Sequence, residues 1–385
     1  MNTKDKYNQS GGNIVWTARD MDIIWDYRWV SVASSADGTK LVAVNQGGQI
    51  YTSNDSGTSW IARESDREWK SVASSADGSK LVAVESGGYI YISVDSGENW
   101  ITRETERYWT SVASSADGNK LVAVTSTSVS GKIYTSVDSG ENWTPYKTKR
   151  YWTSVASSAD GSKLIAAASG PGQIYTSIDS GENWTPRERN RRWTSVASSS
   201  DGSKLIAAAN DDQIYTSIDS GENWIPRESK RKWRSVASSA DGSKLIAAAN
   251  DDQIYTSIDS GENWTPSESN RTWKSVAISA DGSKLVAVVD IGKIYTGNLI
   301  PTSGPTSGPT SGPTSGPTSG PTSGPTSGPK IGPLKVLSIP KVPVEPPLLS
   351  ISIMPSIVNN QQFGGYKEKY LKYKQKYLQL KNNIK

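Results

Sequence analysis

The 385-residue chain contains no cysteine and no histidine, only three methionines and a single phenylalanine. Without cysteine it can form neither a disulfide nor a thiolate nucleophile. Without histidine it lacks the commonest general base and the commonest metal ligand, so we predict no metal site and no cofactor. There is also no apolar run of about 18 residues, so no membrane span is expected.

The N-terminus is polar (MNTKDKYNQSGGN) and lacks the apolar core of a signal peptide. We therefore expect the protein to be intracellular or packaged in a particle. The net charge of +4 is unevenly distributed, because the chain from Lys330 onward has ten lysines and two glutamates while residues 301–329 carry no charge. The repeat region that precedes them is therefore slightly acidic.

A unit of about 40 residues recurs seven times, and each copy opens with a tryptophan. The opening tryptophans are Trp29, Trp69, Trp109, Trp152, Trp193, Trp233 and Trp273. A constant period of this size, with signals for four short strands in each unit, is typical of a β-propeller blade. The sequence thus predicts an all-β fold, a seven-bladed β-propeller.

Each copy carries strand and turn signals in the same order. In the second copy, Ser71–Ser75 is a strand of small residues, Asp77-Gly78 marks a tight turn, and an apolar strand follows from Lys80. A third strand, Tyr89–Ser93, precedes another turn, and Trp100 opens the fourth strand. The seventh copy ends near Asn298 without a fourth strand, whereas residues 13–20 resemble one, so we expect the N-terminal segment to complete the last blade and to remove open sheet edges.

The turn before the fourth strand has the pattern S/T-x-D-x-G-x-x-W in six copies, which resembles the Asp-box, or BNR, motif. Proteins with this motif include sialidases, other glycosidases, the sortilin ectodomain and photosystem II assembly-factor propellers. A short carboxylate can accept backbone N–H groups across its own turn, so we interpret the boxes as structural staples. Their residues are Asp55, Asp95, Asp138, Asp179, Asp219, Asp259, Trp60, Trp100, Trp143, Trp184, Trp224 and Trp264.

The segments between the second and third strands vary most between copies, and variable loops on a constant scaffold are where binding usually resides. These predicted loops are Asn45–Gly48, Glu85–Gly88, Thr125–Gly131, Ser169–Gly172, Asn210–Asp212, Asn250–Asp252 and Asp290–Gly292. The loops between blades should share their face and are basic. They supply a candidate anion-binding rim, made of Lys147, Lys149, Arg150, Arg189, Arg191, Arg192, Lys230, Arg231, Lys232 and Arg234. The alternative is a solvated rim with local ion pairs.

A sialidase-like enzyme would need three converging arginines, a tyrosine–glutamate nucleophile pair and an acidic proton donor. Here the third-strand tyrosine recurs in every copy, and arginines such as Arg63 and Arg103 repeat likewise. Glycoside hydrolysis requires paired carboxylates in distinct environments, and no such pair stands out. We therefore nominate no catalytic residue and predict a protein without enzymatic activity.

The remainder of the chain divides into three segments: a linker at 300–329 built of PTSG repeats, a proline-rich apolar segment at 330–363, and a lysine- and tyrosine-rich helix at 364–385. Tyr366, Tyr370, Tyr373 and Tyr377 follow a heptad spacing. This last pattern resembles the C-terminal tail of many proteins of Mimivirus-like giant viruses. The resemblance implies a viral protein; an ordinary oligomerisation helix is the alternative.

Together these observations divide the chain into a disordered N-terminus at 1–12, a propeller at 13–299 and the three segments that follow. The leading hypothesis is a binding or scaffold module that presents its variable face to a protein or glycan. Its C-terminal helix would attach to a partner helix or an acidic surface. The alternatives are a sialidase-like glycosidase and an assembly factor similar to the photosystem II propellers; nucleic acid is a weaker candidate partner.

Overall fold

The computed structural model describes residues 13–19, 27–127, 131–170 and 172–300, and all of them belong to the first of two units, Met1–Pro309. The second unit lies outside the described residues, and so do the N-terminus at 1–12, the linker, the apolar segment and the C-terminal helix that the sequence predicts. The described residues form antiparallel strands and no helix. The prediction of an all-β propeller is thereby confirmed.

There are 26 strands in the described residues. In chain order they are β1 (Asn13–Arg19), β2 (Trp29–Ser34), β3 (Leu41–Gly48), β4 (Ile50–Ser53), β5 (Ile61–Ala62), β6 (Arg67–Ser74), β7 (Leu81–Ser93), β8 (Ile101–Ser114), β9 (Leu121–Thr125), β10 (Gly131–Ser136), β11 (Thr144–Arg150), β12 (Trp152–Ser157), β13 (Leu164–Ala168), β14 (Ile174–Ser177), β15 (Thr185–Pro186), β16 (Trp193–Ser198), β17 (Leu205–Asp212), β18 (Ile214–Ser217), β19 (Ile225–Pro226), β20 (Arg231–Ser238), β21 (Leu245–Asp252), β22 (Ile254–Ser257), β23 (Thr265–Pro266), β24 (Arg271–Ile278), β25 (Lys284–Val289) and β26 (Ile294–Ile300).

The strands pair as seven four-stranded blades. Blade one consists of β2 to β5, which pair in sequence order. In blade two, β7 folds back on itself and supplies two strands, and β8 runs on to become the inner strand of blade three. Blades four, five and six repeat the order of blade one, and the inner strand of blade six also pairs at its start with β17 of blade five.

Blade seven is completed by the N-terminal strand. Its three other strands are β24, β25 and β26, and β1 pairs antiparallel with β26 from Asn13↔Ile300 to Arg19↔Ile294. The last blade thus joins both ends of the described chain. This closure, which the sequence predicts, removes the free edge of β26.

Two rings of hydrogen bonds connect the inner strands of neighbouring blades. In the first, the backbone N–H after each inner strand donates to the carbonyl at the same position of the next blade, over 2.7–2.8 Å. The ring passes in order through Ala36, Ala76, Ala116, Ala159, Ser200, Ala240 and Ala280, and returns to Ala36. Because it closes after seven steps, the blades form a complete circle.

The second ring uses a serine hydroxyl from each inner strand. Ser31 Oγ accepts the backbone N–H of Val72 at 3.2 Å, and Ser275 Oγ accepts that of Val32 at 3.3 Å. The equivalent serines of the other blades do the same. Small residues are therefore required on the inner strands, because each inner strand must approach that of the next blade closely enough to form these hydrogen bonds.

The hydrophobic core lies in the seams between blades. One such cluster combines Val42, Val44 and Ile50 of blade one with Trp69 and Tyr91 of blade two. Trp69 is fully buried, as are the opening tryptophans of the other blades. The recurring tyrosine packs edge-on against this tryptophan, so the repeat places one large aromatic pair in every seam.

The segments predicted as loops between the second and third strands differ from that prediction. In blade one, β3 extends through Gly48 and pairs with the segment that leads into blade two, with Gln46 opposite Glu68 and Gly48 opposite Arg67. Gly47 has φ +74° and produces a bulge there. The variable segments of blades two, five and six are held in similar ladders, so they are less free than ordinary loops.

The close packing between blades also explains why one position of the repeat is glycine. Gly181 has φ +93°, and a Cβ added to it would lie 2.6 Å from Thr135 Cγ2 of the preceding blade. Gly170 has φ +81°, but nothing lies within 4 Å of the corresponding position. The two glycines therefore share a left-handed backbone and differ in packing.

We predict that Gly181→Ala lowers the free energy of unfolding by about 2–4 kcal/mol, since backbone strain and overpacking of the seam both contribute. Gly170→Ala serves as the matched control and should cost about 1–2 kcal/mol, from strain alone. Urea unfolding followed by tryptophan fluorescence measures both. Equal losses in the two variants would contradict a tight seam at Gly181.

Candidate functional site

Each Asp-box carboxylate accepts hydrogen bonds from residues of its own turn. In blade two, Asp95 Oδ1 accepts the Ser93 hydroxyl at 2.7 Å and the Asn99 backbone N–H at 2.9 Å, while Oδ2 accepts the Asn99 side-chain amide at 2.7 Å. Ser93 Oγ accepts the Gly97 N–H, and Trp100 Nε1 donates to the Gly97 carbonyl at 3.0 Å. The motif thus joins the end of one strand to the start of the next.

The same network recurs in all six boxes. The Asn99 backbone N–H is the largest cause that lowers the pKa of Asp95 to about 2, followed by the Asn99 side chain and the Ser93 hydroxyl. A carboxylate held ionised in this way is a poor proton donor. Among the described residues, no group of three or more carboxylates could hold a metal ion.

A second carboxylate, which the sequence analysis treats only as part of a turn, repeats beside each box. Asp77 Oδ1 accepts the Ser75 hydroxyl at 2.6 Å and the Ser79 backbone N–H at 3.0 Å. The Ser79 carbonyl in turn accepts the backbone N–H of Ser96 in the Asp-box. Both turns therefore lie on one face of the propeller, which we call the Asp-box face. The recurring SADG sequence is the signal that identifies this second staple.

The candidate rim lies on the opposite face, and several of its cations are already neutralised. Arg191 contacts Asp212 at 2.8 Å and Glu188 at 3.4 Å, and its guanidinium lies over the Tyr215 ring. Arg231 has an equivalent set of partners, with Asp252 at 2.8 Å. These side chains belong to local ion pairs.

Other rim residues differ from these two. Arg192 contacts Asp211 at 3.4 Å in an exposed pair, and Arg150 donates from Nε to the Tyr175 hydroxyl at 2.8 Å. Four cations are exposed and make no ion pair with another described residue: Lys149, Arg189, Lys230 and Lys232. The side chain of Lys147 lies outside the described residues. The structure thus divides the predicted rim into paired and unpaired cations instead of presenting one continuous patch.

The last rim residue, Arg234, lines a cavity at the centre of this face. The cavity has a volume of about 530 Å³. Its wall includes the residue that follows the opening tryptophan in every blade, namely Val30, Lys70, Thr110, Thr153, Thr194, Arg234 and Lys274. The sequence analysis missed Lys70 and Lys274. The signal was present, because this position is valine, lysine, threonine or arginine in different blades, whereas the rest of the inner strand, from its tryptophan onward, changes only at Ile278.

The two halves of the cavity wall differ in chemistry. On blades three, four and five, the threonine hydroxyls donate to backbone carbonyls of the next blade, as Thr153 does to Trp193 at 3.0 Å. On blades six, seven and two the wall is cationic. Lys274 contacts Asp290 at 3.0 Å, whereas Lys70 and Arg234 make no ion pair within the described part of the chain. The wall therefore offers two unpaired positive charges, Lys70 on blade two and Arg234 on blade six, which are three blades apart in the ring.

The same cavity lacks what glycoside hydrolysis needs. No carboxylate is among the described residues that line it. The recurring tyrosines face the seams, where burial raises the pKa of Tyr91 and of Tyr255 to about 12. A phenol with so high a pKa is a weak nucleophile at neutral pH.

Comparison with known proteins gives the fold. No protein-family model and no curated protein matches the chain. Among solved structures, YCF48 from Cyanidioschyzon merolae superposes with a TM-score of 0.58 at 16% identity, over 73% of this chain and 98% of that chain. A structure described as YCF48 bound to D1 peptide gives a TM-score of 0.57 at 16% identity, over 77% of this chain and 96% of that chain. This chain is a β-propeller. At this identity the likeness shows the architecture alone.

Within the described residues, no helix has the length and hydropathy needed to cross a bilayer.

The turn carboxylates predict a particular dependence of stability on pH. Their pKa in the folded protein lies below the unfolded value of about 3.9, so their contribution is complete at neutral pH and is lost as the pH falls from about 5 toward 2. We expect the thermal unfolding midpoint to fall over that range. Asp95→Asn should lower the midpoint at pH 7 and differ less from the unmodified protein near pH 2. Circular dichroism at both pH values measures this; an equal difference at both would contradict it.

Proposed function

We propose that this propeller is a non-enzymatic binding module whose central cavity receives an acidic segment of a partner protein. The observation that supports this most directly is the wall of the cavity. Lys70 and Arg234 supply charge at the inner-strand position that varies most, and neither is in an ion pair within the described residues. Carboxylates of an acidic segment that enters the cavity would form charge-assisted hydrogen bonds with these two side chains, and such bonds are shorter and stronger than neutral ones.

The location of the site also supports binding of a chain segment. Ligands enter a propeller most readily where its sheets leave a central opening, and this cavity is open on the face that carries the exposed Lys232 and Arg192. A structure with the same architecture is described as bound to a peptide, which supports a peptide as ligand by analogy of fold. The assembly-factor hypothesis is a special case of this proposal, because it also requires a protein partner.

The other hypotheses have less support. A glycan ligand or a sialidase-like reaction would call for carboxylates in the cavity, whereas its described lining offers cations and hydroxyls. Nucleic acid would require a broader positive surface than one with acidic partners at Arg191 and Arg231. Anchoring by the lysine-rich segment at 364–385, and the viral origin that its sequence implies, stay predictions from the sequence.

The cavity provides its own matched substitutions, since blades three to five carry threonine where Lys70 and Arg234 stand. We predict that Lys70→Thr and Arg234→Thr each weaken binding of a glutamate-rich peptide by about tenfold to a hundredfold, because one charge-assisted hydrogen bond contributes about 1.5–3 kcal/mol. Fluorescence anisotropy of a labelled peptide against the full chain measures the affinity, and binding should weaken as salt is added.

Lys232→Thr is the control, because Lys232 is exposed beside the cavity and does not line it. It should change the affinity by less than about twofold, as expected for a solvated charge. If Lys232→Thr weakens peptide binding as much as Arg234→Thr does, the peptide binds to the outer rim and not to the cavity. If none of the three variants changes the affinity, the proposed site is wrong.

A further inference from the structure

The Asp-box face carries a row of exposed apolar side chains that folding does not explain. The residue between the serine and the aspartate of the box is apolar in blades two to six. These residues, which we call the apolar arc, are Val94, Val137, Ile178, Ile218 and Ile258, with exposed fractions of 59, 65, 70, 65 and 42%. Single exposed apolar residues are common, but five at one position of consecutive blades form an extended surface.

The turn itself does not require an apolar residue at this position. Blade one has Asn54 there, and its box keeps the same bonds, with Ser53 Oγ donating to Asp55 Oδ1 at 2.8 Å and accepting the Gly57 N–H at 2.9 Å. By strand register, the corresponding residue of blade seven is the exposed Asn298. The arc therefore covers five blades and ends at two polar positions.

The charges around the arc are mostly negative. Every blade contributes the aspartate of its first turn, six blades add the Asp-box aspartate, and blades two to six add an exposed glutamate of the box, as Glu182 does in blade four. The aspartates are ionised at neutral pH, and hydrogen bonds within their turns lower the pKa of Asp37 and of Asp95 further, to about 2. The corresponding positive charges are the seven lysines that follow the first turns: Lys40, Lys80, Lys120, Lys163, Lys204, Lys244 and Lys284.

These lysines form no salt bridge with the carboxylates, although the charge of each adds to the lowering of the pKa of the first-turn aspartate in the next blade, as Lys40 does for Asp77. Lys40 Nζ donates to Ser96 Oγ at 3.2 Å, and Lys284 Nζ to Ser56 Oγ at 3.3 Å, so each reaches an uncharged oxygen of the next blade. Among the described residues, no salt bridge joins any of the seven to a carboxylate. The surface around the arc thus combines exposed apolar side chains with an excess of negative charge.

We propose that the apolar arc is a second docking surface, which binds a partner segment that presents lysine or arginine side chains beside apolar ones. Apolar contact with the arc would supply affinity, while the surrounding carboxylates would select a basic partner and favour its approach. A basic amphipathic helix has this chemistry, because one stripe is apolar and the flanks are charged. The surface lies on the face opposite the cavity, so this proposal is independent of the proposed function.

The probe for the test is a synthetic amphipathic peptide of leucine and lysine, titrated with the full chain and followed by fluorescence anisotropy. Asparagine is the natural residue of blade one at this position, so the double variant Ile178→Asn, Ile218→Asn should fold. We expect it to weaken binding at least tenfold with little change in salt dependence. Glu182→Gln combined with Glu222→Gln should weaken binding mainly at low salt and reduce its salt dependence.

Ile225→Thr is the matched control, since Ile225 is also an exposed isoleucine but lies on an outer strand, where Thr185 stands in blade four. It should leave the affinity unchanged, and so should Lys70→Thr in the cavity. Full affinity of the double variant, or equal binding of a leucine–glutamate peptide, would overturn the proposal. Sedimentation that shows a self-associated protein, which becomes monomeric only in the double variant, would instead assign the arc to a second copy and also overturn it.

Discussion

The close approach of neighbouring inner strands is the constraint on which the rest of the propeller depends. Each blade must bring its backbone within hydrogen-bond distance of the next. The contacts are the ring of backbone hydrogen bonds that starts and ends at Ala36, and the bonds to hydroxyls such as Ser31 Oγ. Larger side chains at these positions would separate the blades. The space between neighbouring blades must then be filled, and one buried tryptophan with its tyrosine contributes to this in every blade. The near-constancy of the repeat follows from this geometry, because every seam poses the same packing problem.

A repeat constrained in this way leaves few positions at which function can differ between blades. The residue after the opening tryptophan is one, because its side chain leaves the inner strand toward the central cavity and not toward a seam. Lys70 and Thr153 occupy the same backbone position, yet one offers a charge to a ligand and the other donates its hydroxyl to the next blade. The residue before the Asp-box aspartate is another, because it projects from the turn into solvent. Both positions are permissive for the fold, so their chemistry reports on binding.

Much of the fold could be predicted from the sequence. The period of the tryptophans indicates the blades, and the missing fourth strand of the seventh copy indicates the closure by β1. The loops were harder to predict, because Gln46 and Gly48 pair with the segment that leads into the next blade. This pairing depends on how two blades are placed, and no local sequence pattern reveals that placement. The site was predicted only in part. Counting basic residues led to the rim, but Arg191 is neutralised by Asp212 across the blades, a partner that sequence distance does not suggest.

The two faces of the propeller therefore differ in physical character although they are built from the same repeat. On the cavity face, carboxylates such as Asp212 and Asp252 neutralise arginines of neighbouring segments, so the positive charge that remains is divided between the cavity wall and a few exposed rim residues such as Lys232. On the Asp-box face, the carboxylates are held by neutral donors, namely hydroxyls, amides and backbone N–H groups, which satisfy their hydrogen bonds and leave their charge in place. The aspartates that close the turns are thus also the residues that make that face acidic. A folding motif and a surface charge thus reside in the same residues, and through that charge the boxes would contribute to the docking surface that we propose on this face.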